Sequence, residues 1–309
     1  MNKKDTVDVL KRFSSIVIWG LKSDTNSTHR YIHNHFFTIL KKLGLNVVWC
    51  NDEFINNEFI NSNSLVIAYN LACKNLKYRK ENYYALLNTV EILVENIDCK
   101  NYLRLRVYGE VPIDQGSDIW CESTIFNKQN HMLYQSWATD LLPEEFLSPI
   151  FSDTNKFYWV GSIWNDENNA GNIVNINILQ EVLKRNNIEF IHCQNISDEE
   201  NIRSIRSSRI APAIGGELQV VRSMLPCRLW KNISYGQLGI TNLPKSLDVF
   251  SDKVIFNTNI EELIDKSLSI NEKEYKDMTA FQQEIVSESH TYLNWFYNVG
   301  RAFSELEIV

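Results

Sequence analysis

The first fifty residues contain a strand, a helix and a second strand in an order that predicts a parallel β-sheet. The short apolar run Ser15–Trp19 ends at Gly20 and is typical of a buried strand. After a polar loop, a helix begins near Thr28, carries one apolar stripe and ends at Gly44. A second strand follows at Val47–Trp49. Such a unit places its two strands in parallel through a right-handed crossover, which indicates an α/β fold.

The same alternation restarts in the second half of the chain. Phe157–Val160 predicts a strand that ends at Gly161 and Ser162, and a helix follows near Ile173–Arg185. The preceding segment, Trp137–Pro149, has the composition of a connector. We therefore expect two α/β halves of similar size joined near residue 150.

Two other segments do not show the alternation of strand and helix. Asp114–Asn130 shows no clear period and is interpreted as irregular. The tail is interpreted as mainly helical and ending in a long helix, because one face collects apolar side chains at Tyr292, Phe296, Val299, Phe303 and Leu306.

Composition excludes several classes of protein. The 309 residues carry a formal charge of −7, which argues against general nucleic-acid binding and requires any anion site to be a local cluster of cations. The chain has no apolar run long enough to span a membrane, and its first residues are polar, so we expect a cytoplasmic protein without a transmembrane segment. The six cysteines are scattered without metal-ligand spacing, so no metal is expected.

The strongest local concentration of positive charge lies between residues 203 and 231. It contains Arg203, Arg206, Arg209, Arg222, Arg228 and Lys231. Guanidinium groups and a lysine could neutralise a pyrophosphate there. The alternative is a solvated helix face with ordinary surface ion pairs.

Two loops at predicted strand ends are further candidates. Asp24 and His29 lie between the first strand and the following helix, where a general base and its orienting carboxylate are found in α/β enzymes. His29 could equally be a surface histidine. Gly161 and Ser162 offer backbone N–H groups to a phosphate, or form a simple tight turn.

Five blocks resemble, in this order, a group of bacterial and viral glycosyltransferases of GT-B architecture. They are Thr28–His33, Trp137–Pro143, Arg209–Ile214, Pro226–Asn242 and His290–Leu293. The resemblance implies two Rossmann-like domains facing across a cleft, with a C-terminal helix that crosses back. It implies an acceptor-side domain at residues 1–149, a nucleotide-sugar donor domain at 150–285, and a helix at 286–309 that packs on the first domain.

The same resemblance implies the site. Arg209 and Lys231 are the diphosphate candidates, and Asp24 and His29 are the catalytic candidates. The remaining donor-binding candidates are Gly161, Ser162, Glu217, Asn232, Ser234, Tyr235, Gly236, Thr241 and Asn242. Enzymes of this architecture generally need no metal, so no cofactor beyond the donor substrate is expected.

We therefore expect a cytoplasmic hexosyl- or deoxyhexosyltransferase of polysaccharide biosynthesis. It would move a sugar from a UDP- or GDP-linked donor to a glycan or lipid-linked acceptor, with no nucleic-acid partner. Two alternatives stay open: a non-catalytic two-lobed protein that binds a sugar or nucleotide, and a nucleotide-sugar epimerase of GT-B type.

Overall fold

The computed structural model describes residues 3–23, 28–51, 60–69, 76–88, 101–107, 117–165, 168 and 170–306. These residues divide into two compact units. The first contains the described residues up to Gln135 and those from Tyr292 onward, and the second contains Ser136–Thr291. Each unit has its own strands, helices and core.

The strands are short. In the first unit they are β1 (Ile16–Trp19), β2 (Val47–Cys50), β3 (Leu65–Tyr69), β4 (Tyr83–Leu87), β5 (Tyr102–Arg106), β6 (Ser117–Cys121), β7 (Thr124–Asn127) and β8 (Met132–Gln135). In the second unit they are β9 (Lys156–Val160), β10 (Glu189–Cys193), β11 (Ile240–Thr241) and β12 (Ile255–Phe256).

The helices connect these strands and form the tail. They are α1 (Lys3–Leu10), α2 (Thr28–Lys42), α3 (Ile173–Arg185), α4 (Asp198–Arg206), α5 (Glu217–Val221), α6 (Cys227–Ser234), α7 (Ser246–Phe250), α8 (Ile260–Ser269), α9 (Glu272–Ser289) and α10 (Tyr292–Glu305), with a short 3₁₀ turn at Pro143–Glu145.

The first unit is built on one mixed sheet in the order β2-β1-β3-β4-β5-β8-β7-β6. The six strands from β2 to β8 run in parallel, and β1 pairs with β2 in the register Ile16↔Val47. The predicted β-α-β unit is therefore present. Strand β1 is buried along its whole length, which explains its continuous apolar sequence.

Residues 117–127, interpreted from the sequence as irregular, instead form a β-hairpin. Strands β6 and β7 pair antiparallel and extend the sheet beyond β8. Strand β6 is the edge strand, and Ile119 on it is 59% exposed. Because an edge strand exposes much of its surface, its sequence lacks the buried apolar run that marks β1.

The tail is mainly helical and consists of two helices, α9 and α10, the second of which begins at Tyr292 and not near residue 286. Helix α9 ends at Ser289, where the backbone carbonyl of His290 accepts a hydrogen bond from the Thr139 N–H at 2.9 Å. Helix α10 belongs to the first unit and packs on α1, where a Cβ on Gly300 would lie 2.7 Å from a methyl group of Val9. The close approach of these two helices therefore depends on a glycine.

In the second unit, two parallel strand pairs are joined by the segment 209–213. The Arg209 N–H donates to Lys156 O at 2.8 Å beside β9, and Ala213 forms a parallel bridge with Thr241 of β11. The resulting order is β10, β9, segment 209–213, β11, β12. The main core of the unit packs α3 and α8 against these strands, with Trp159, Leu179 and Leu263 fully buried.

No helix among the described residues has both the length and the apolar composition needed to cross a bilayer.

Candidate functional site

The carboxyl ends of the parallel strands in the second unit form one edge of the sheet. Gly161 and Ser162 follow β9, Asn242 follows β11, and Gly215 follows the segment between them. The chain order changes direction between β9 and this central segment. In open α/β sheets, ligands bind at such a switch point, outside the carboxyl ends of the strands.

Arg228 lies at this edge. Its Nη1 donates to the carbonyl oxygen of Val160, the last residue of β9, at 2.5 Å. Its guanidinium carbon lies 3.7 Å from the centre of the Trp159 ring. Gly161 has a φ of +114°, and a Cβ there would lie 2.9 Å from Arg228 Nη2. The ring and the glycine together fix a half-buried guanidinium against the end of the strand.

The turn that follows the central segment is held by side-chain amides. Asn242 accepts from the Gly215 N–H at 2.8 Å and donates to the Gly215 carbonyl at 3.0 Å. A Cβ on Gly216 would lie 2.3 Å from the Gly171 carbonyl, so only glycine fits there. Glu217, the first residue of α5, is exposed beyond this turn. Asn242 is therefore placed to shape the loop, with its amide already hydrogen-bonded to the backbone.

Thr241 and Asn232 have similar buried roles. The Thr241 hydroxyl donates to Ala213 O, and the Asn232 amide donates to Ala211 O, each at 2.7 Å. Both side chains hold the central segment in place.

Helix α6 and the residue after it carry a buried polar cluster. The Tyr235 hydroxyl lies 3.0 and 2.8 Å from the two carboxylate oxygens of Asp140 and donates to them. The hydroxyl oxygens of Thr139 and Ser234 are 2.6 Å apart. All four residues are buried. The cluster ties the segment around Asp140 to the end of the helix and stabilises the carboxylate by hydrogen bonding.

Lys231 is also buried, at 7% exposure, with its Nζ 5.7 Å from the centre of the Tyr235 ring. Burial raises the pKa of the Cys227 thiol one turn earlier, and the positive charges of Lys231 and Arg228 lower it. Arg228 and Lys231 lie three residues apart on α6, a spacing that makes their side chains neighbours on the helix surface.

Arg209 lies at the amino end of β9, away from Arg228. Its N–H contacts the first residue of β9, its guanidinium donates to Asp153 Oδ1 at 2.6 Å, and it stacks over Phe151. Arg228 contacts the last residue of the same strand. At roughly 3.3 Å per residue, about 13 Å of strand separates the two contacts. The structure therefore does not bring Arg209 to the edge that holds Gly161 and Arg228.

Arg206 has a structural role of the same kind. Its Nη1 donates to the carbonyl oxygens of Tyr235 and Ser148, at 2.6 and 3.1 Å. Gly236 follows with a φ of +89°, and a Cβ there would lie 2.3 Å from Ser148 O. Part of the cationic stretch thus completes the end of α6, where carbonyl groups lack partners.

Replacing Tyr235 with phenylalanine tests the buried cluster. We expect the free energy of unfolding to fall by about 1–3 kcal/mol, because the buried Asp140 carboxylate loses a hydroxyl that hydrogen-bonds to both of its oxygens. Urea unfolding monitored by circular dichroism measures the change. Tyr158→Phe, at a half-buried tyrosine on β9, is the matched control and should stay within about 0.5 kcal/mol. Equal losses in the two variants would contradict the role assigned to Tyr235.

The structure describes one of the two catalytic candidates in the first unit, His29. Asp24 lies outside the described residues. His29, in the first turn of α2, stacks on Tyr69 with ring centres 3.8 Å apart. Burial lowers the pKa of His29 to about 4, so its imidazole is neutral at pH 7 and is a weak base by itself. Whether Asp24 orients it stays a prediction.

Sequence reasoning had left two residues out of the predicted site. Arg228 belongs to the cationic stretch but is not among the predicted site residues, and neither is Asp140, which the sequence places in the connector as a residue that could bind a ligand or fix a hinge. The signal available for Arg228 was its position at the start of a helix that follows a proline, together with a tryptophan two residues before Gly161. Strand order, which the sequence does not show, was needed to bring these residues together.

No protein-family profile matches the chain, and no curated protein matches it either. Solved structures do share its fold. The DNA-modifying enzyme β-glucosyltransferase, determined with and without uridine diphosphoglucose, is 12% identical with a TM-score of 0.54, covering 96% of this chain and 100% of that one. A second structure, of T4 phage β-glucosyltransferase, is 12% identical with a TM-score of 0.53, covering 94% and 99%.

At this level of identity the likeness concerns the fold. The prediction of an α/β protein with GT-B architecture is confirmed, since the match extends over nearly the whole of both chains. Activity, donor and acceptor belong to the proposal that follows.

Proposed function

We propose that the chain is a glycosyltransferase that uses a UDP- or GDP-activated sugar. The observation that carries this proposal is the guanidinium of Arg228, held at the carboxyl end of β9 beside Gly161. A cation fixed at the switch point of a parallel sheet suits a nucleotide diphosphate. The GT-B fold supports the same function, because the β-glucosyltransferase that shares it was determined with its substrate uridine diphosphoglucose.

The donor site that we propose is a revised form of the sequence-based one. Arg228 takes the diphosphate role expected of Arg209, and Lys231 keeps its role as a second, buried cation. Of the two predicted backbone donors at the strand end, Ser162 keeps its role, whereas the Gly161 N–H already donates to Cys193 O at 2.9 Å. Asn232, Ser234, Tyr235, Thr241 and Asn242 support the surrounding backbone, and Glu217 stays a candidate contact at the start of α5.

The proposed chemistry is a substitution at the anomeric carbon. The acceptor oxygen forms a bond to that carbon, the bond to the diphosphate oxygen breaks, and the leaving diphosphate takes the electron pair. Arg228 and Lys231 stabilise the negative charge that develops there, so we propose that turnover needs no divalent metal. The proton of the acceptor hydroxyl passes to a base, for which Asp24 and His29 are the candidates.

The acceptor is the less constrained part of the proposal. A glycan or a lipid-linked sugar was expected, with nucleic acid excluded on overall charge. The two structures that share the fold are named as DNA-modifying or phage β-glucosyltransferases, so duplex DNA becomes a second candidate acceptor. Polysaccharide biosynthesis consequently has no support beyond the sequence resemblance.

Thermal stabilisation by nucleotides tests the donor site directly. We expect UDP or GDP, and the matching sugar conjugates, to raise the melting temperature in the presence of EDTA, while CDP and ADP do not. A ligand at 100 times its dissociation constant adds about 2.7 kcal/mol to the free energy of unfolding. The variant Arg228→Ala should lose most of the shift. Stabilisation that appears only after Mg²⁺ is added would contradict metal independence, and no shift with any nucleotide would contradict the donor site.

Product analysis separates the proposal from its alternatives. Conversion of the sugar nucleotide without any acceptor would indicate an epimerase, and tight binding without turnover would indicate a binding protein.

A further inference from the structure

Two buried side chains of opposite charge lie in the second unit. Among the described residues of that unit, the buried Asp, Glu, Lys and Arg side chains are Asp140 and Lys231, and each is 7% exposed. Burying an unpaired charge is costly, whereas two opposite charges that are buried together offset part of that cost. We therefore asked how the structure connects the carboxylate to the ammonium group.

Tyr235 contacts both charges. Its hydroxyl donates to the two carboxylate oxygens of Asp140 at 3.0 and 2.8 Å, and its ring centre lies 5.7 Å from Lys231 Nζ, within the range of a cation–π interaction. Tyr235 follows Lys231 by one helical turn, because its N–H donates to Lys231 O at 2.9 Å. The carboxylate, the phenol and the ammonium group thus form one connected set at the end of α6.

Buried hydroxyl groups make a second connection between the same two residues. Ser234 Oγ lies 2.9 Å from the Lys231 carbonyl oxygen and 2.6 Å from Thr139 Oγ1. Thr139 Oγ1 lies 3.3 Å from Asp140 Oδ1. The segment that carries Asp140 and the helix that carries Lys231 are therefore held together at two points, so the carboxylate has a fixed position relative to the helix.

Two further carboxylates of the second unit lie near Asp140. Asp198, the first residue of α4, has a carboxylate oxygen within 4.8 Å of one on Asp140, and Glu145 accepts from the Leu142 N–H at 2.9 Å. Asp198 is exposed and Glu145 is half-buried, so water screens both charges more than it screens Asp140. Of the three carboxylates, Asp140 is therefore expected to act most strongly on a buried ammonium group.

The other titratable groups near α6 are cationic or neutral. The guanidinium groups of Arg206 and Arg228 donate to backbone carbonyl oxygens. Burial raises the pKa of the Cys227 thiol and lowers the pKa of His290 to about 3, so both side chains are neutral at pH 7. These four groups add no negative charge that could take the place of the Asp140 carboxylate.

We propose that Asp140 is a positioning residue of the donor site, which acts through Tyr235 and supplies the negative charge that holds the buried Lys231 ammonium group in place. The inference rests on the proposed function, in which Arg228 and Lys231 stabilise the leaving diphosphate. A cation that is already oriented stabilises developing charge more than one that must reorganise during the reaction. Asp140 itself does not contact the donor in this account.

A double-mutant cycle in donor turnover tests the connection between the two residues. We expect Asp140→Asn to lower kcat by about tenfold or more in the wild-type background and by less than about twofold in the Lys231→Met background, where the carboxylate has no ammonium group to hold. The matched control is Thr139→Val, which removes a neutral hydroxyl beside Asp140 and should change kcat by the same factor in both backgrounds. Equal factors for Asp140→Asn in the two backgrounds would overturn the proposal.

Melting temperatures of the wild-type protein, the two single variants and the double variant test the charge pair without any donor. Each single variant leaves one buried charge without its counter-charge and should melt several degrees lower. The double variant should melt at least as high as the less stable single variant, because Lys231→Met removes the charge that Asp140→Asn leaves unpaired. If Asp140→Asn does not fold, we expect Lys231→Met to restore folding.

The contrary outcomes are distinct. Additive losses in melting temperature, or a double variant that also fails to fold, would overturn the charge pair. Absence of wild-type turnover with every donor and acceptor would contradict the proposed function. The failure of this inference and the failure of the proposed function are therefore distinguishable.

Discussion

Replacing Arg228 with alanine is expected to lower the turnover of the sugar-nucleotide donor by about a hundredfold or more. Removing one preorganised donor that faces developing negative charge costs roughly 2.7–4 kcal/mol in the transition state, which is a factor of about 10²–10³ in kcat. Arg228→Lys should recover only part of the activity, because lysine lacks the planar guanidinium that stacks on Trp159. Release of nucleotide diphosphate from the donor measures the rate.

Two matched arginine variants make the result specific. Arg185→Ala removes an exposed arginine paired with Glu261 and should leave turnover unchanged. Arg209→Ala tests the original sequence-based expectation. Because the Arg209 guanidinium already binds Asp153 at the amino end of β9, we expect far less effect than at Arg228. A loss at Arg209 equal to or larger than that at Arg228 would reverse this assignment.

Acid is expected to destabilise the fold strongly between pH 6.5 and pH 4. Burial lowers the pKa of His33 to about 4. The hydrogen bond with the Gly20 backbone opposes this shift, and the charge of His29 adds to it. Burial lowers the pKa of His290, which stacks on Trp230, to about 3. The corresponding pKa in the unfolded chain is about 6.5.

The direction of the pH dependence follows from proton binding to the folded and unfolded chains. Between these pKa values the unfolded chain binds a proton at each histidine and the folded chain does not, so the free energy of unfolding rises with pH in this window. At pH 5 each of these two histidines is expected to lower stability by about 2 kcal/mol relative to pH 8, or roughly 4 kcal/mol together, and His29, whose pKa burial also lowers to about 4, adds a contribution of the same sign. Urea unfolding at pH 8, 6 and 5 measures the difference.

Single substitutions show which histidines cause the pH dependence of stability. His33→Gln and His290→Gln should each reduce the stability difference between pH 8 and pH 5 by about 2 kcal/mol, whatever they do to stability at pH 8. His192→Gln, at an exposed position, should leave the difference unchanged. A pH dependence that persists in full after both buried histidines are replaced would show that other groups cause it.

The sequence predicted the elements whose burial leaves a clear pattern. Strand β1 is buried at every position, so its apolar run is visible in the sequence. The hairpin of β6 and β7 was missed because its edge strand is largely exposed. The C-terminal helix was expected from residue 286 but begins at Tyr292, after His290, whose carbonyl accepts from the Thr139 N–H 151 residues away in the chain.

The candidate site was harder to predict for a related reason. The arginines at 203, 206 and 209 form a group in the sequence that favours an anion site. In the structure, Arg206 and Arg209 bind carbonyls and a carboxylate within the second unit. Arg228 was less conspicuous, although it contacts the end of β9. A charge pattern along the chain does not show which edge of a sheet each side chain reaches, because strand order decides that.

The central claim is that the second unit activates a sugar nucleotide without a metal, and nucleotide release in EDTA tests it most directly. Wild-type protein would be mixed with UDP- or GDP-linked sugars and with glycan, lipid-linked and duplex DNA acceptors, and free UDP or GDP would be measured. We expect release with one nucleotide series, dependent on an acceptor, lowered by about a hundredfold or more in Arg228→Ala and unchanged in Arg185→Ala. Release that requires Mg²⁺, or that survives in Arg228→Ala at the wild-type rate, would contradict it.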